Sequence, residues 1–172
     1  HGASKLQGER NIAANCSKYI ILRTSWVYAA KGGNFAKTML RLAQERESLS
    51  VVHDQIGAPT GARLLARLTA DVIPKAMQNP GLSGLYHAVA AGETSWYGYA
   101  RFVIGGARQR GVEIKVTDEN IRPVTSSQFP TPAKRPANSR LDTSKLEQAF
   151  GIKLPDWQTG VAEMLDDIRV GG

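Results

Sequence analysis

Cysteine is almost absent: Cys16 is the one thiol in 172 residues. A single cysteine cannot close an internal disulfide, which suits a reducing compartment, and we expect a cytoplasmic protein. Long apolar runs are missing as well, and none approaches the ~20 residues that a membrane-spanning helix needs. The N-terminus has no apolar stretch of the signal-peptide kind, and it opens on His1 in place of Met, as a processed, truncated or tag-derived chain would. Clustered charge is scarce. Lys and Arg number 22 against 15 Asp and Glu, a net charge of +7. Yet the densest group is only Lys134-Arg135 with Arg140 nearby. The three Trp, five Tyr and four Phe do not interleave with these cations as a nucleic-acid stacking platform would. We therefore expect neither nucleic acid nor a membrane as partner; a phosphorylated metabolite answers the positive balance better. Internal repeats are absent, and so is any GxGxxG or GxxGxxG. Gly57 to Gly61 and Gly105-Gly106 have the wrong spacing for a phosphate-cradling turn between strand and helix.

What is present is an ordinary apolar content of 42%, enough for one well-buried core or two small ones sharing an interface. Its periodicity alternates between helix and strand. Residues 4–15 read as a helix, with Leu6, Ile12 and Ala13 on one side and Gly8 suggesting close packing. Residues 19–24 are a short apolar run, as expected of a strand buried on both faces. Helices are predicted over 35–46 (Phe35, Met39, Leu42 and Ala43 inward) and 63–77, where Pro74 marks a kink or early stop. Others follow over 94–110, 143–150 and 157–168. Strands are predicted at 49–52, 84–90 and 113–117. Residues 122–140 hold four prolines and few bulky side chains, the composition of an extended surface segment without a ladder of its own.

Several residues are candidates for chemistry. His1 and Lys5 stand one helical turn apart, and an ammonium lowers the pKa of an acid–base neighbour; a frayed terminus and a solvated lysine are the plain alternative. Trp26 follows the predicted strand at its C-terminal end, where open α/β sheets bind ligands; a core aromatic is the other reading. Asn34 suits the cap of the next helix, whose N-terminus also attracts anions. Gln55 and Thr60 lie in a turn-rich loop, as cleft lining or as scaffold. Arg135 and Arg140 flank the Pro-rich stretch, as phosphate partners or as solvated surface charge. His53 and His87 have no carboxylate at ligand spacing, and no metal site is expected.

Taken in order, these residues form a set. HGASKLQGE opens it, followed by Arg23-Thr24-Ser25-Trp26-Val27-Tyr28, Gly33-Asn34-Phe35-Ala36-Lys37-Thr38-Met39 and Asp54-Gln55-Ile56-Gly57-Ala58-Pro59-Thr60. Gly84-Leu85-Tyr86-His87, Pro130-Thr131-Pro132-Ala133 and Arg135-Pro136-Ala137-Asn138-Ser139 complete it. The set closely resembles the dTDP-4-dehydrorhamnose reductases, extended short-chain dehydrogenase/reductases, and specifically the C-terminal part of their chain. The resemblance implies a catalytic Tyr-x-x-x-Lys, with Lys5 at the lysine, which would also meet the nicotinamide ribose, and His1 at the tyrosine. It implies NADPH or NADH as hydride donor in the parent enzyme, with no tight binding by this chain. It also implies a dTDP-sugar partner held by Trp26, Asn34, Gln55, Thr60, Arg135 and Arg140, with Trp26 stacking on the sugar.

The fold so implied is a mixed, helix-rich α/β structure lacking the N-terminal dinucleotide-binding strands. Residues 1–31 would be the remnant of the Rossmann-type domain and 32–172 mainly the substrate-binding domain. The function expected is that of a substrate-binding portion, inactive alone, of the NAD(P)H-dependent reductase making dTDP-L-rhamnose. The alternative is a non-catalytic nucleotide-sugar-binding or assembly module. An apolar strand at an open sheet edge invites pairing with a second copy, so a homo-oligomer is expected.

Overall fold

The computed structural model describes residues 2–170. Helix α1 (Gly2–Asn15) carries no buried residue. Its main tie to the rest is a bidentate ion pair from Glu9 to Arg23, 2.6 Å at its shorter contact. Gly8 meets nothing where a Cβ would stand, so the close packing expected there is not found among the described residues.

Strand β1 (Ile20–Arg23) pairs in parallel with β6 (Gly84–His87), Ile20 opposite Gly84 and Arg23 opposite His87. It is half-buried, not enclosed on both faces, and β6 is its only strand partner among the described residues. β2 (Val27–Tyr28) pairs in parallel with β5 (Thr60–Gly61), and β4 (Ile56–Gly57) antiparallel with β7 (Thr94–Ser95).

Helix α2 (Phe35–Glu45) begins where Asn34 accepts a hydrogen bond from the Lys37 amide at 3.0 Å. β3 (Leu49–Val52) follows and pairs in parallel with β8 (Ile121–Val124). Two sequence expectations are corrected here. Residues 113–117 form no strand; the amides of Lys115 and Val116 instead donate to the Ala43 carbonyl at the end of α2. Val116 is buried by packing against Ala43, Leu49 and Ile104, without a ladder. The strand comes later and takes the first residues of the Pro-rich segment into a ladder. Pro123 is tolerated because β8 is paired on one side only among the described residues, so its missing N–H removes no sheet bond there.

Helix α3 (Ala62–Gln78) runs through Pro74 for one more turn instead of stopping. Helix α4 (Trp96–Gln109) is capped by Ser95, which accepts from the Gly98 amide at 3.0 Å. This helix joins two cores. Tyr99 and Val103 face Trp157, Val161 and Leu165, while Ala100 and Ile104 face Ala43, Leu49 and Val116. Gly106 lets α4 approach α6 (Trp157–Val170), since a Cβ there would lie 2.7 Å from Leu165 Cδ1. A third core sits under α3, where Leu68 and Val72 meet Tyr86, Leu146 and Phe150, the last two on α5 (Ser144–Phe150). Gly151, at φ 63°, closes α5 in the left-handed conformation that glycine adopts without steric cost. Each fully buried aliphatic, such as Val103 or Ile104, contributes roughly 1.5–3 kcal/mol. α4 thus fixes its own N-terminus, and with it Trp96, against the β3–β4 loop.

Candidate ligand-binding cleft

Four consecutive residues organise this region, and each makes a different contact. Both carboxylate oxygens of Asp54 accept from the Ser126 amide at 3.0 Å, and the Ser126 hydroxyl donates to the same carboxylate. Gln55 donates through Nε2 to Ser126 Oγ at 3.1 Å and accepts through Oε1 from Trp96 Nε1 at 3.1 Å. Ile56 donates to the Ala137 carbonyl at 2.9 Å and accepts from the Ser139 amide at 2.7 Å, while pairing with Ser95 of β7. Gly57 lies under an indole: a Cβ there would stand 2.8–3.0 Å from Cε2, Cδ2 and Cζ2 of Trp26.

The polarity of the first two contacts is fixed. An ionised carboxylate only accepts, so the Ser126 proton goes to Asp54 and Ser126 Oγ keeps a lone pair for the Gln55 amide. That leaves Gln55 Oε1 for the indole N–H, which only donates. The Ser126 hydroxyl, and then its amide, hold the Asp54 carboxyl below the usual carboxylate range.

Trp26 has φ 50°, the only positive value at a non-glycine residue among those described. Such a conformation costs on the order of 1–2 kcal/mol. Its ring is held firmly: Trp96 stacks on it at 3.8 Å between centroids and 22° between planes. Similar distances from Gly57 to three contiguous ring atoms place that residue over the ring and not beside it. The face Gly57 covers is therefore the one Trp96 leaves, and the indole is enclosed on both. Phe35, the first residue of α2, packs 4.7 Å from Trp96.

Beyond this aromatic wall opens a cleft of about 1140 Å³, lined by Phe35, Gln55, Trp96, Phe129, Lys134 and Arg135 among others. The far side is the exposed segment 129–137, a strap that follows β8, is held at Ser126 just before it, and returns against Ile56.

The candidates from sequence distribute unevenly over this geometry. Trp26 and Gln55 are brought together through Trp96; Asn34 caps α2 and donates to the Ala29 carbonyl at 2.7 Å, outside the cleft lining and one residue before Phe35, which meets Trp96. Arg135 lines the cleft and makes no ion pair among the described residues. Arg140 lies outside the cleft lining, held by Glu93 at 2.9 Å and by Asn138 at 2.9 Å. Thr60 is fully buried, and its hydroxyl donates to the Ala58 carbonyl and accepts from the Ala90 amide, both at 3.1 Å. Of its two readings the scaffold is the one realised. Lys5 is exposed on α1, and none of the described hydrogen bonds or ion pairs ties it to the cleft. His1 lies outside the described residues. Trp26 itself is not among the cleft-lining residues: Trp96 stacks on one face of its ring and Gly57 lies against its six-membered ring. Trp96, Asp54 and Ser126 were missed. A tryptophan directly after a capping serine was a usable signal for Trp96; nothing in the sequence links positions 54 and 126.

The glycines at 57, 61, 105 and 106 build no dinucleotide cradle. Gly57 is spent on Trp26, a Cβ at Gly61 would meet the Tyr28 hydroxyl at 3.2 Å, and Gly105 and Gly106 lie inside α4. The fold is that of the C-terminal, substrate-binding part of an extended short-chain dehydrogenase/reductase. Residues 1–170 match the family described as the RmlD substrate binding domain, and the chain belongs to that family. It is 54% identical over 168 residues to the dTDP-4-dehydrorhamnose reductase of Escherichia coli K12, covering 98% of this chain and 56% of that one. It is 43% identical over 172 residues to the reductase of Burkholderia thailandensis. Among solved structures, the Bacillus anthracis dTDP-4-dehydrorhamnose reductase in complex with NADP superimposes with a TM-score of 0.84 at 35% identity. That match covers 96% of this chain and 54% of that one. The chain thus spans just over half the length of the relatives it matches.

Proposed function

We propose that this chain is the substrate-binding portion of an NAD(P)H-dependent reductase that converts dTDP-4-dehydro-L-rhamnose to dTDP-L-rhamnose. The observation that carries the reading is the cleft itself, in an RmlD-family domain: an aromatic wall of Phe35 and Trp96 faces a strap bearing Lys134 and Arg135. A nucleotide diphosphate sugar presents the complementary surfaces, flat rings for the wall and a dianionic bridge for the cations.

Lys5, on α1, takes the lysine role of the catalytic motif, with His1 at its tyrosine position. Residues 1–31 belong on this reading to the dinucleotide-binding side and 32–172 mainly to the substrate side. β1 nevertheless draws its partner strand, β6, from residues 84–87. With neither GxGxxG nor GxxGxxG in the sequence, the isolated chain neither holds NADPH or NADH tightly nor turns over. β1, paired on one side, drives association of copies, and the setting is the cytoplasm.

Calorimetric titration of the chain with dTDP-L-rhamnose, dTDP and NADPH tests this reading. Binding of the two thymidine nucleotides without NADPH is expected. Absence of all three would remove the substrate-binding assignment, and NADPH oxidation with the ketosugar by this chain alone would overturn its inactivity. Sedimentation as a clean monomer at micromolar concentration would overturn the association.

A further inference from the structure

We propose that Asp54 is a positioning residue that sets the aromatic wall and the cationic strap of the cleft as one unit, acting through Ser126 and Gln55. The inference rests on the cleft being the ligand site, as proposed above, but its structural content is tested without ligand.

The strap is fastened at both ends to the same three residues. Its beginning is held at Ser126 by Asp54, and its return at Ala137 and Ser139 is held by the backbone of Ile56. Between them Gln55 reaches from Ser126 to the Trp96 indole. Both Asp54 oxygens accept from Ser126, so this carboxylate, itself part of the cleft lining, is engaged by the strap's own backbone and hydroxyl. The carboxylate keeps its charge, and the amide and hydroxyl that it accepts from are oriented by it. Its charge decides the direction of every later bond. If it is removed, the Ser126 hydroxyl is free to rotate toward Gln55, the Gln55 amide loses its preferred orientation, and Trp96 loses a fixed acceptor. The same loss unfastens the strap where it leaves β8, while the Ile56 bonds remain. Ligand contacts on the two walls of the cleft are then no longer held at a set separation.

The test compares Asp54→Ala, Ser126→Ala, Ser126→Thr and, as the uncoupled reference, Trp26→Phe. Stacked indoles couple their transitions, so near-ultraviolet circular dichroism reads the Trp26–Trp96 geometry directly. D54A and S126A are expected to lose roughly half or more of the signal that W26F abolishes, and S126T, which keeps the hydroxyl, to recover it. Tryptic cleavage after Lys134 is expected to accelerate roughly tenfold in D54A and S126A and not in S126T. Far-ultraviolet spectra establish that each variant is folded; if D54A is not, the S126A and S126T pair carries the comparison. Unchanged coupling and unchanged cleavage in folded D54A or S126A would overturn the proposal. Titration with dTDP separates this inference from the reading beneath it. A wild-type chain that binds no dTDP defeats the ligand-site reading, while coupling and cleavage still decide the role of Asp54.

Discussion

The indole of Trp96 lies 3.8 Å from that of Trp26, with 22° between the planes, and Gly57 closes the opposite face of Trp26. The ring that faces the cleft is therefore Trp96, while Trp26 is its backing, held at φ 50° by contacts on both sides. Stacking contributes roughly 0.5–1.5 kcal/mol beyond area burial, comparable to the cost of the unusual backbone.

Gly57→Ala tests that enclosure. Gly57 has no positive φ, so alanine suits its backbone; the obstacle is the Trp26 ring at 2.8–3.0 Å. A ring between a new methyl and Trp96 has nowhere to yield without breaking the stack. The variant is expected to lose about 1–3 kcal/mol in chemical denaturation, together with much of the indole coupling. Wild-type stability with intact coupling would show that Gly57 does not confine the ring.

Much of this arrangement is legible in the sequence, and the part that is not has a common cause. The helix at Phe35 carries its own instructions: an Asn cap and an apolar stripe of Phe35, Met39, Leu42 and Ala43. α5 announces its end at Gly151. Residues 113–117 mislead because Ile114 and Val116 alternate like a strand, yet none of the described strands pairs with them and the Ala43 carbonyl takes the amides of Lys115 and Val116. Gln55 was visible as a loop polar residue, but its work depends on Ser126 and Trp96, far away along the chain. Local pattern specifies elements; which loop closes over which is decided by tertiary contact.

Thr60→Val separates scaffold from ligand contact. The hydroxyl is buried between the Ala58 carbonyl and the Ala90 amide, so valine keeps the shape and strands a buried donor. A loss of about 1–3 kcal/mol is expected, with serine retaining part of it. Affinity for dTDP should change by less than about twofold, under 0.5 kcal/mol. A large loss of affinity at unchanged stability would return Thr60 to the ligand.

Tyr28 makes alkaline stability informative. Burial, and after it the charge of Glu163, raises its phenol to about 12, against roughly 10 in an unfolded chain. The folded state keeps a proton that the unfolded state gives up, so this stabilisation is complete below about pH 10. It is lost as pH rises through about 10 to 12. Denaturant titrations at successive alkaline pH values are expected to show the decline, shallower in Tyr28→Phe. Burial also raises Tyr99, so part of the fall persists in the variant. An identical slope in both proteins would exclude Tyr28 as a contributor.

The two arginines that flank the Pro-rich segment are predicted to part company. Arg140 donates to Glu93 and Asn138 outside the cleft lining, and the Glu93 carboxylate beside it offsets the charge that it could offer a diphosphate. Arg135 lines the cleft and has no such commitment among the described residues. Arg135→Ala is therefore expected to weaken dTDP binding roughly tenfold, the scale of one charge-assisted hydrogen bond at about 1.4 kcal/mol. Arg140→Ala should leave affinity nearly unchanged and alter stability by at most about 1 kcal/mol, as exposed ion pairs do. Calorimetry at two salt concentrations sharpens the contrast, since a diphosphate–arginine contact weakens with ionic strength. If Arg140 proves the more damaging substitution, its pairing with Glu93 must open on ligand binding, and the diphosphate would then lie at the Glu93 end of the segment and not at Arg135.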